Sequence, residues 1–402
     1  MTRSDTAESS HTGGGSAGAN LALATAAFTL LFWAWNLVGP LAPTYSEQLD
    51  LSPTQTSVLI AFPVLVGAVG RIPAGALTDR YGGRAMMTVI CFVTIIPVLL
   101  IGFLGSSFAA LLVLGFFLGI AGTSFAVGIP FVNSWHAPKR RGLATGIFGA
   151  GMGGTALSAF LTPYLANVLG ITGVHVAMAF ALAAMGVIMY VFSRNAPGWH
   201  PSSASVLPRM REALHLKATW QNMMLYALAF GGFVAFSTYL PTLLYTAYDF
   251  AQTEAGLRTA GFSVTAVLAR PLGGALSDKI GPVRVCMISF ATTAVMAVVL
   301  AFHPPTEIPA GTVFVLTAAA LGLGTGGVFA LVAQLVEPAR VGTVTGMVGA
   351  AGGLGGYFPP MVMGGVLQLT GTYAIGFALL ALCALAATVY TARAFPRVAA
   401  QA

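Results

Sequence analysis

Twelve stretches of about 20 apolar residues, separated by short polar loops, dominate this 402-residue sequence. A helix needs about 20 such residues to cross the roughly 30 Å hydrocarbon core of a bilayer. Charged residues make up only 7% of the chain, whereas soluble domains carry about 25%. The sequence therefore predicts an all-α integral membrane protein with twelve transmembrane helices. The predicted spans are 21–43, 54–78, 85–105, 108–134, 142–166, 174–193, 220–246, 256–277, 284–302, 310–335, 341–367 and 372–394.

A polar stretch at 194–219 divides these spans six and six. We expect an N-terminal six-helix half at 20–193 and a C-terminal six-helix half at 220–394. Residues 194–219 are then a cytoplasmic linker. Residues 1–19, rich in Ser, Gly and Thr, are expected to be a disordered tail, and 395–402 form a C-terminal tail.

The basic residues fall mainly on one side of the predicted topology. With the N-terminus inside, fifteen of the eighteen Lys and Arg lie in cytoplasmic segments, and Arg258 alone lies in an outer loop. This asymmetry predicts that both termini are cytoplasmic, in a multi-pass protein of the inner (cytoplasmic) membrane. The same loops explain the net charge of +7 without a nucleic-acid partner.

The two predicted halves repeat each other in sequence. "RIPAGALTDRYGG" at 71–83 matches "RPLGGALSDKIGP" at 270–282 with an offset of 199. "RGLATGIFGAGMGG" at 141–154 matches "VGTVTGMVGAAGGL" at 341–354 with an offset of 200. Two pseudo-symmetric halves in the same orientation are typical of a duplicated transporter, whose site lies between the halves near the bilayer midplane.

Two arginines lie unusually deep in the predicted spans. Arg71 and Arg270 are each eight residues from the aspartates that end their spans, Asp79 and Asp278, which is about 12 Å of helix. Each buried arginine costs about 2.5–3.5 kcal/mol on insertion scales. One interpretation is structural, with the guanidinium groups capping carbonyls or pairing with a buried carboxylate.

No acidic residue is placed to pair with them, because all eleven fall in tails, loops or span ends. We therefore favour a mobile anion as the partner of both arginines. A planar oxyanion suits the planar fork of arginine, and two facing arginines would repel each other when no anion is bound. The acidic residues are Asp5, Glu8, Glu47, Asp50, Asp79, Glu212, Asp249, Glu254, Asp278, Glu307 and Glu337.

The stretches "GIFGAGMGGTALSAF" at 146–160 and "GMVGAAGGLGGYFPP" at 346–360 are dense in glycine. Small residues at this spacing let membrane helices pack closely. They also let backbone approach a substrate pathway, and the two interpretations are compatible.

Several motifs resemble a known family. "GALTDRYGGR" and "GALSDKIG" are similar to the cytoplasmic loop signature of the major facilitator superfamily. Segments 124–155 and 328–360, together with "FWAWNLVGPL" at 32–41 and "LYALAFGGFVAFSTYLPTLL" at 225–244, resemble its nitrate/nitrite porter branch. The resemblance implies the major facilitator fold and transport of nitrate, nitrite or both by alternating access.

In that family the arginines matching Arg71 and Arg270 bind the anion. The resemblance also places Tyr226, Phe230 and Phe125 around the site. One position departs from the family, which usually has asparagine where this chain has Met152. The other expected site residues are the glycines Gly151, Gly352 and Gly353, and the loop or gate motif is expected to comprise Gly75, Asp79, Arg80, Gly82, Arg84, Asp278 and Lys279.

The histidines are scattered and none is expected at the centre, which favours anion exchange, although proton symport also occurs in the family. We expect no enzyme, cofactor or metal site, because no nucleophile–base pair or metal-ligand cluster is present. The expected partners are the anion and the lipid bilayer, and the expected state is a monomer. Cys91, Cys286 and Cys383 are expected to be buried apolar residues. A facilitator for another small organic anion or a drug remains the alternative.

Overall fold

The computed structural model describes residues 16–201, 206–305, 308–337 and 340–395, which form helices and short connections without a β-strand. Two short 3₁₀ turns, Gly119–Thr123 and Ala150–Gly153, lie within the helical segments. The α-helices in chain order are α1 Ala17–Trp35, α2 Val38–Leu49, α3 Pro53–Val69, α4 Arg71–Tyr81, α5 Gly83–Leu104, α6 Phe108–Leu118, α7 Ser124–Ser134, α8 Pro138–Gly149, α9 Gly154–Phe192, α10 Val206–Leu214, α11 Lys217–Tyr248, α12 Gln252–Ile280, α13 Pro282–Ala301, α14 Ile308–Leu335, α15 Val341–Gly355, α16 Phe358–Thr370 and α17 Ala374–Ala394.

Each predicted span falls on helix. Nine helical stretches in the described ranges are long and apolar enough to cross a membrane. One of them, Arg140–Phe192, covers two predicted spans, because α9 continues through the predicted loop and bends at Gly170, whose φ is 71°. The predicted spans 256–277 and 341–367 fall on helices outside those nine. The count of twelve crossings therefore stays a prediction.

The polar segments are partly helical. The predicted linker 194–219 contains α10. Within the predicted N-terminal tail, α1 already begins at Ala17, where the Ser16 side chain accepts a hydrogen bond from Ala19 N. Residues 1–15 and 396–402 of the two predicted tails lie outside the described residues.

The second predicted span is interrupted beside the buried arginine. Helix α3 ends at Val69 and α4 begins at Arg71, with Gly70 between them. Pro73 has no backbone N–H to donate to the Val69 carbonyl, so the hydrogen-bond ladder breaks at this point. The break places Arg71 in the first turn of a new helix.

Helices α1–α9 and α11–α17, here called the N half and the C half, repeat the same close contacts. In each half, glycines of the glycine-rich span lie so near the first helix of that half that an added methyl group would overlap it. These contacts relate α1 to α11 by an offset of 198 and the glycine-rich spans by an offset of 201. Gly151 lies against Phe28 in the N half, as Gly352 lies against Tyr226 in the C half. Likewise, Gly154 lies against Thr29, as Gly355 lies against Ala227.

The two halves close on each other at one end of the bundle, which we call the far end. Thr44 Oγ1 donates to Gln252 Oε1 at 3.0 Å, and Gln252 Nε2 donates to the Pro40 carbonyl at 2.6 Å. Gly364 of α16 lies directly against Ser57 of α3. The opposite end carries most of the basic residues of the described ranges, including Arg84 and Arg194, and is called the basic end.

Candidate functional site

Arg71 is buried between the halves, with 3% of its surface exposed. Its Nη1 donates to the carbonyl of Gly349 on α15 at 2.5 Å, and its Nε lies 3.5 Å from the Gly122 carbonyl. Its Cζ lies 5.0 Å from the ring centroid of Phe125 and 5.4 Å from that of Phe230. Nη2 is buried without a hydrogen-bond partner among the described residues, so the guanidinium keeps an unused donor.

Arg270 of α12 is half-buried and faces the N half. Its Nη1 lies 2.7 Å from Met152 Sδ. A methyl group added to Gly149 would lie 3.6 Å from its Cζ. The ring centroid of Phe329 lies 5.4 Å from the same Cζ. Because a thioether is a weak acceptor, most of the donor capacity of Arg270 is available to a ligand.

One aromatic ring links the two arginines. The Phe125 centroid lies 5.0 Å from Arg71 Cζ and 5.9 Å from Arg270 Cζ, so the two guanidinium carbons are at most about 11 Å apart. No carboxylate pairs with either arginine within the described ranges. The ion pairs recorded there are Arg258–Glu254 and Arg340–Glu337, both away from this pocket. Two cations, one from each half, therefore share a pocket without a counter-charge from the described protein.

Each arginine lies against the glycine-rich span of the opposite half. The sequence offset of 200 pairs Met152 with Gly352, but the structural offset of 201 pairs it with Gly353. Met152 contacts Arg270, and a methyl group at Gly353 would lie 3.4 Å from Arg71 Nη1. The offset changes at the 3₁₀ turn Ala150–Gly153, which has three residues per turn instead of 3.6.

The predicted site glycines divide into two groups. Gly353 lies beside Arg71, whereas Gly151 and Gly352 pack on aromatic rings of the first helix of their own half. For Gly151 and Gly352, the nearest neighbours of an added methyl group belong to the first helix of the same half, which is a helix-packing contact.

The predicted aromatic residues surround the arginines as a connected group. Tyr226 and Phe230 are fully buried and stack with centroids 5.1 Å apart, and Phe230 lies 6.2 Å from Phe125. The Tyr226 hydroxyl is buried and has no hydrogen-bond partner in the described part of the chain. Sequence reasoning missed Phe329, which lies 4.6 Å from Tyr226. The sequence contained a signal for Phe329. Phe125 and Phe329 are each the second residue of the two segments that resemble the porter family, 124–155 and 328–360.

Glycines line an open cleft from the arginines towards the basic end. Gly142 and Gly146 lie on the same face of α8 as Gly149, which contacts Arg270, yet a methyl group on either would meet no atom within 4 Å. Gly342 and Gly346 repeat this arrangement on α15. The halves are therefore separated at the basic end and closed at the far end.

The predicted loop motif lies at the basic end, at the junctions of α4 with α5 and of α12 with α13. Gly82 has a φ of 85° and packs on Asn195, which also accepts a hydrogen bond from Arg84 N at 3.1 Å. Arg84 caps the Tyr190 carbonyl, and Arg80 lies over the Tyr81 ring. The remaining motif residues are Gly75, with open space at its α-carbon, Asp79 near the end of α4, and Asp278 and Lys279, exposed at the end of α12.

Other chemistry-bearing side chains lie apart from this pocket. No group of three metal-ligating side chains occurs in the described part of the chain. His175 is fully buried, with Nδ1 2.8 Å from the Ile171 carbonyl. The prediction of buried cysteines is confirmed for Cys91 and Cys286 and is wrong for Cys383, which is exposed. Apolar sequence surroundings do not distinguish a lipid-facing position from a core position.

Comparison with known proteins identifies the family. The Major Facilitator Superfamily model matches residues 24–257 and 225–402. The chain is 52% identical over 377 residues to the probable nitrate/nitrite transporter NarK2 of Mycobacterium tuberculosis, covering 93% of this chain and 95% of that protein. It is 36% identical to the nitrite extrusion protein of Bacillus subtilis, covering 89% of each. The chain belongs to the nitrate/nitrite porter family of the major facilitator superfamily. It is a multi-pass protein of the bacterial inner membrane.

Solved structures share the fold. A D-xylose–proton symporter superimposes with a TM-score of 0.74 at 15% identity, covering 93% of this chain and 96% of that one. A bacterial homologue of the human lysosomal transporter Spinster gives 0.72 at 20% identity, covering 95% and 96%. Both are matches of architecture, so the all-helical transporter fold expected from the sequence is confirmed.

Proposed function

We propose that this chain is a secondary transporter that moves nitrate, nitrite or both across the cytoplasmic membrane by alternating access. The anion is held between Arg71 and Arg270. One observation carries the proposal: an arginine from each half approaches the same Phe125 ring in a pocket without a protein counter-charge. The names of its relatives support nitrate and nitrite as the anions.

Simple electrostatics supports an anion between the arginines. At a separation of at most about 11 Å, two unit charges repel by at least about 1.5 kcal/mol at an effective dielectric near 20. An anion about 4 Å from one guanidinium gains roughly 4 kcal/mol from that contact alone. The bound anion therefore offsets the repulsion and lets the two halves approach each other.

The two arginines have different roles in this proposal. Arg71 is anchored to Gly349 and presents its free Nη2, so it receives the anion in a fixed orientation. Within the described ranges, the one side-chain hydrogen bond of Arg270 is to the Met152 thioether; because this bond is weak and Arg270 is half-buried, Arg270 can move onto the anion from the cleft side. The buried Tyr226 hydroxyl offers a further donor near the rings that line the pocket.

The orientation in the membrane follows from charge. We infer that the basic end faces the cytoplasm, because basic residues concentrate on that side of membrane proteins. In the proposed topology, twelve spans are grouped as 20–193 and 220–394 around the linker 194–219, and both termini are cytoplasmic. The conformation described above, closed at the far end with a cleft at the basic end, then faces the cytoplasm. Opening of the far end requires the contacts of Gln252 and Gly364 with the N half to separate.

Purified protein in proteoliposomes tests the proposal. We expect uptake and counterflow of nitrate and nitrite. Replacing either Arg71 or Arg270 with glutamine should abolish uptake and counterflow of each anion. A requirement for internal anion without a pH gradient indicates exchange, and stimulation by an inward proton gradient indicates symport. Transport that millimolar nitrate does not inhibit, and that survives loss of one arginine, contradicts the proposal and favours a larger organic substrate.

A further inference from the structure

A cavity of about 730 Å³ lies between α11, α16 and α17, in the C half and outside the arginine pocket. Its walls are almost entirely apolar, with Leu228, Phe236 and Leu380 among them. It opens sideways, because Phe358 and Leu379 line it and are 60% and 43% exposed. Exposed apolar side chains in the middle of membrane helices face hydrocarbon, so the opening leads into the bilayer.

The internal repeat shows a tie between helices that the C half lacks beside this cavity. In the N half, Trp33 of α1 donates from Nε1 to Thr162 Oγ1 of α9 at 3.0 Å. The structural offsets of 198 and 201 place Gly231 and Met363 at the corresponding positions. Met363 lines the cavity, whereas Gly231 packs against the α15 backbone, where an added methyl group would overlap the Gly355 carbonyl carbon. The C half therefore has no counterpart of the Trp33–Thr162 hydrogen bond beside the cavity.

A second tie is also missing from the C half. In the N half, Asn20 of α1 accepts a hydrogen bond from Arg194 N at 2.8 Å, which joins the first and last helices at the basic end. The corresponding residue of α11 is Ala218, which has no side-chain acceptor. The first and last helices of the C half therefore lack this polar connection beside the cavity.

The basic-end mouth of the cavity has the residues of a membrane interface. Met224 and Tyr390 line the cavity near this end. Trp220, 57% exposed, lies one helical turn from Met224 on the same face of α11. Arg393 lies one turn beyond Tyr390 in the last turn of α17. Tryptophan, tyrosine and arginine at this level contact lipid headgroups, and arginine attracts anionic ones.

We propose that this cavity binds one acyl chain of an anionic phospholipid from the leaflet at the basic end, with the headgroup beside Arg393. Hydrocarbon is the solvent at the lateral opening, so an acyl chain passes from one apolar environment into another, and van der Waals packing against the cavity walls holds it there. The α16 wall of the cavity carries Gly364 on a different side, where it closes against Ser57. The lipid thus lies behind a helix that forms the far-end contact.

Native mass spectrometry of the full-length protein, after exchange into phosphatidylglycerol, tests the site. Ala386 lines the cavity, whereas Leu382 on the same helix does not and is 62% exposed. We expect Ala386→Trp to lose one retained phospholipid relative to wild type and Leu382→Trp to retain it. Cys383→Phe is a second filling variant, because Cys383 also lines the cavity.

The headgroup is tested separately. We expect Arg393→Gln to lower retention of phosphatidylglycerol to the level measured with phosphatidylcholine. The acyl-chain site is refuted if both filling variants retain as many phospholipids as wild type, or if wild type retains none. Equal retention of the two lipids by wild type overturns the role of Arg393. None of these residues lies in the arginine pocket, so this result is independent of the nitrate assays.

Discussion

Replacing Arg71 with lysine is the sharpest test of how the anion is held. Arg71 uses Nη1 on the Gly349 carbonyl, and its 3.5 Å contact with Gly122 is at the limit of a hydrogen bond. Nη2 and Nε therefore remain as an edge that can donate two parallel hydrogen bonds to a planar oxyanion. Lysine keeps the charge but concentrates its donors on one atom, so Arg71→Lys should lose one charge-assisted hydrogen bond.

Such a bond contributes about 1.5–3 kcal/mol. The apparent affinity for nitrate should therefore fall by about 10-fold to 150-fold. The assay is nitrate counterflow in proteoliposomes over a range of nitrate concentrations. Arg258→Lys is the matched control, because Arg258 is half-buried like Arg270 but pairs with Glu254 away from the arginine pocket. Unchanged nitrate affinity in Arg71→Lys would refute the paired hydrogen bonds. An equal loss of affinity in Arg71→Lys and Arg258→Lys would show that the effect is not specific to the anion site.

Three further variants test separate parts of the structure. Met152→Leu should leave nitrate affinity within about threefold of wild type in a binding titration, because the thioether gives Arg270 only a weak hydrogen bond. A larger loss would show that the sulfur contributes to binding. Gly146→Cys, in a background with Cys383→Ser, should react with a charged thiol reagent added at the basic end and not at the far end. Gly364→Leu should reduce transport at least about tenfold, because the larger side chain overlaps Ser57 and prevents far-end closure. Wild-type rates in that variant would show that closure does not use this contact.

Much of the architecture is predictable because membrane insertion imposes strong sequence patterns. The apolar runs predicted every main helix, since a bilayer requires about 20 apolar residues per crossing. The isolated charges of Arg71 and Arg270 predicted a shared pocket, since a buried cation is expensive and needs a partner. The repeated motifs predicted that the two arginines come from equivalent positions.

Other features depend on packing that periodicity does not encode. The offset of 200 holds as far as Gly149 and then changes at a 3₁₀ turn, so the sequence repeat alone does not give the structural counterpart of Met152. Phe329 was missed because an aromatic residue in an apolar span is usually core or lipid-facing. Cys383 was expected to be buried because lipid and protein interior are both apolar environments. The lateral cavity depends on how α11, α16 and α17 pack against one another, which the apolar pattern of each span does not encode.

Calorimetric titration of nitrate into the purified protein measures the proposed site directly. We expect one nitrate per chain in wild type, and no detectable binding in Arg71→Gln or in Arg270→Gln, while the Arg258→Gln control binds as wild type does. Binding of nitrate to both arginine variants with wild-type affinity would contradict an anion held between the two halves.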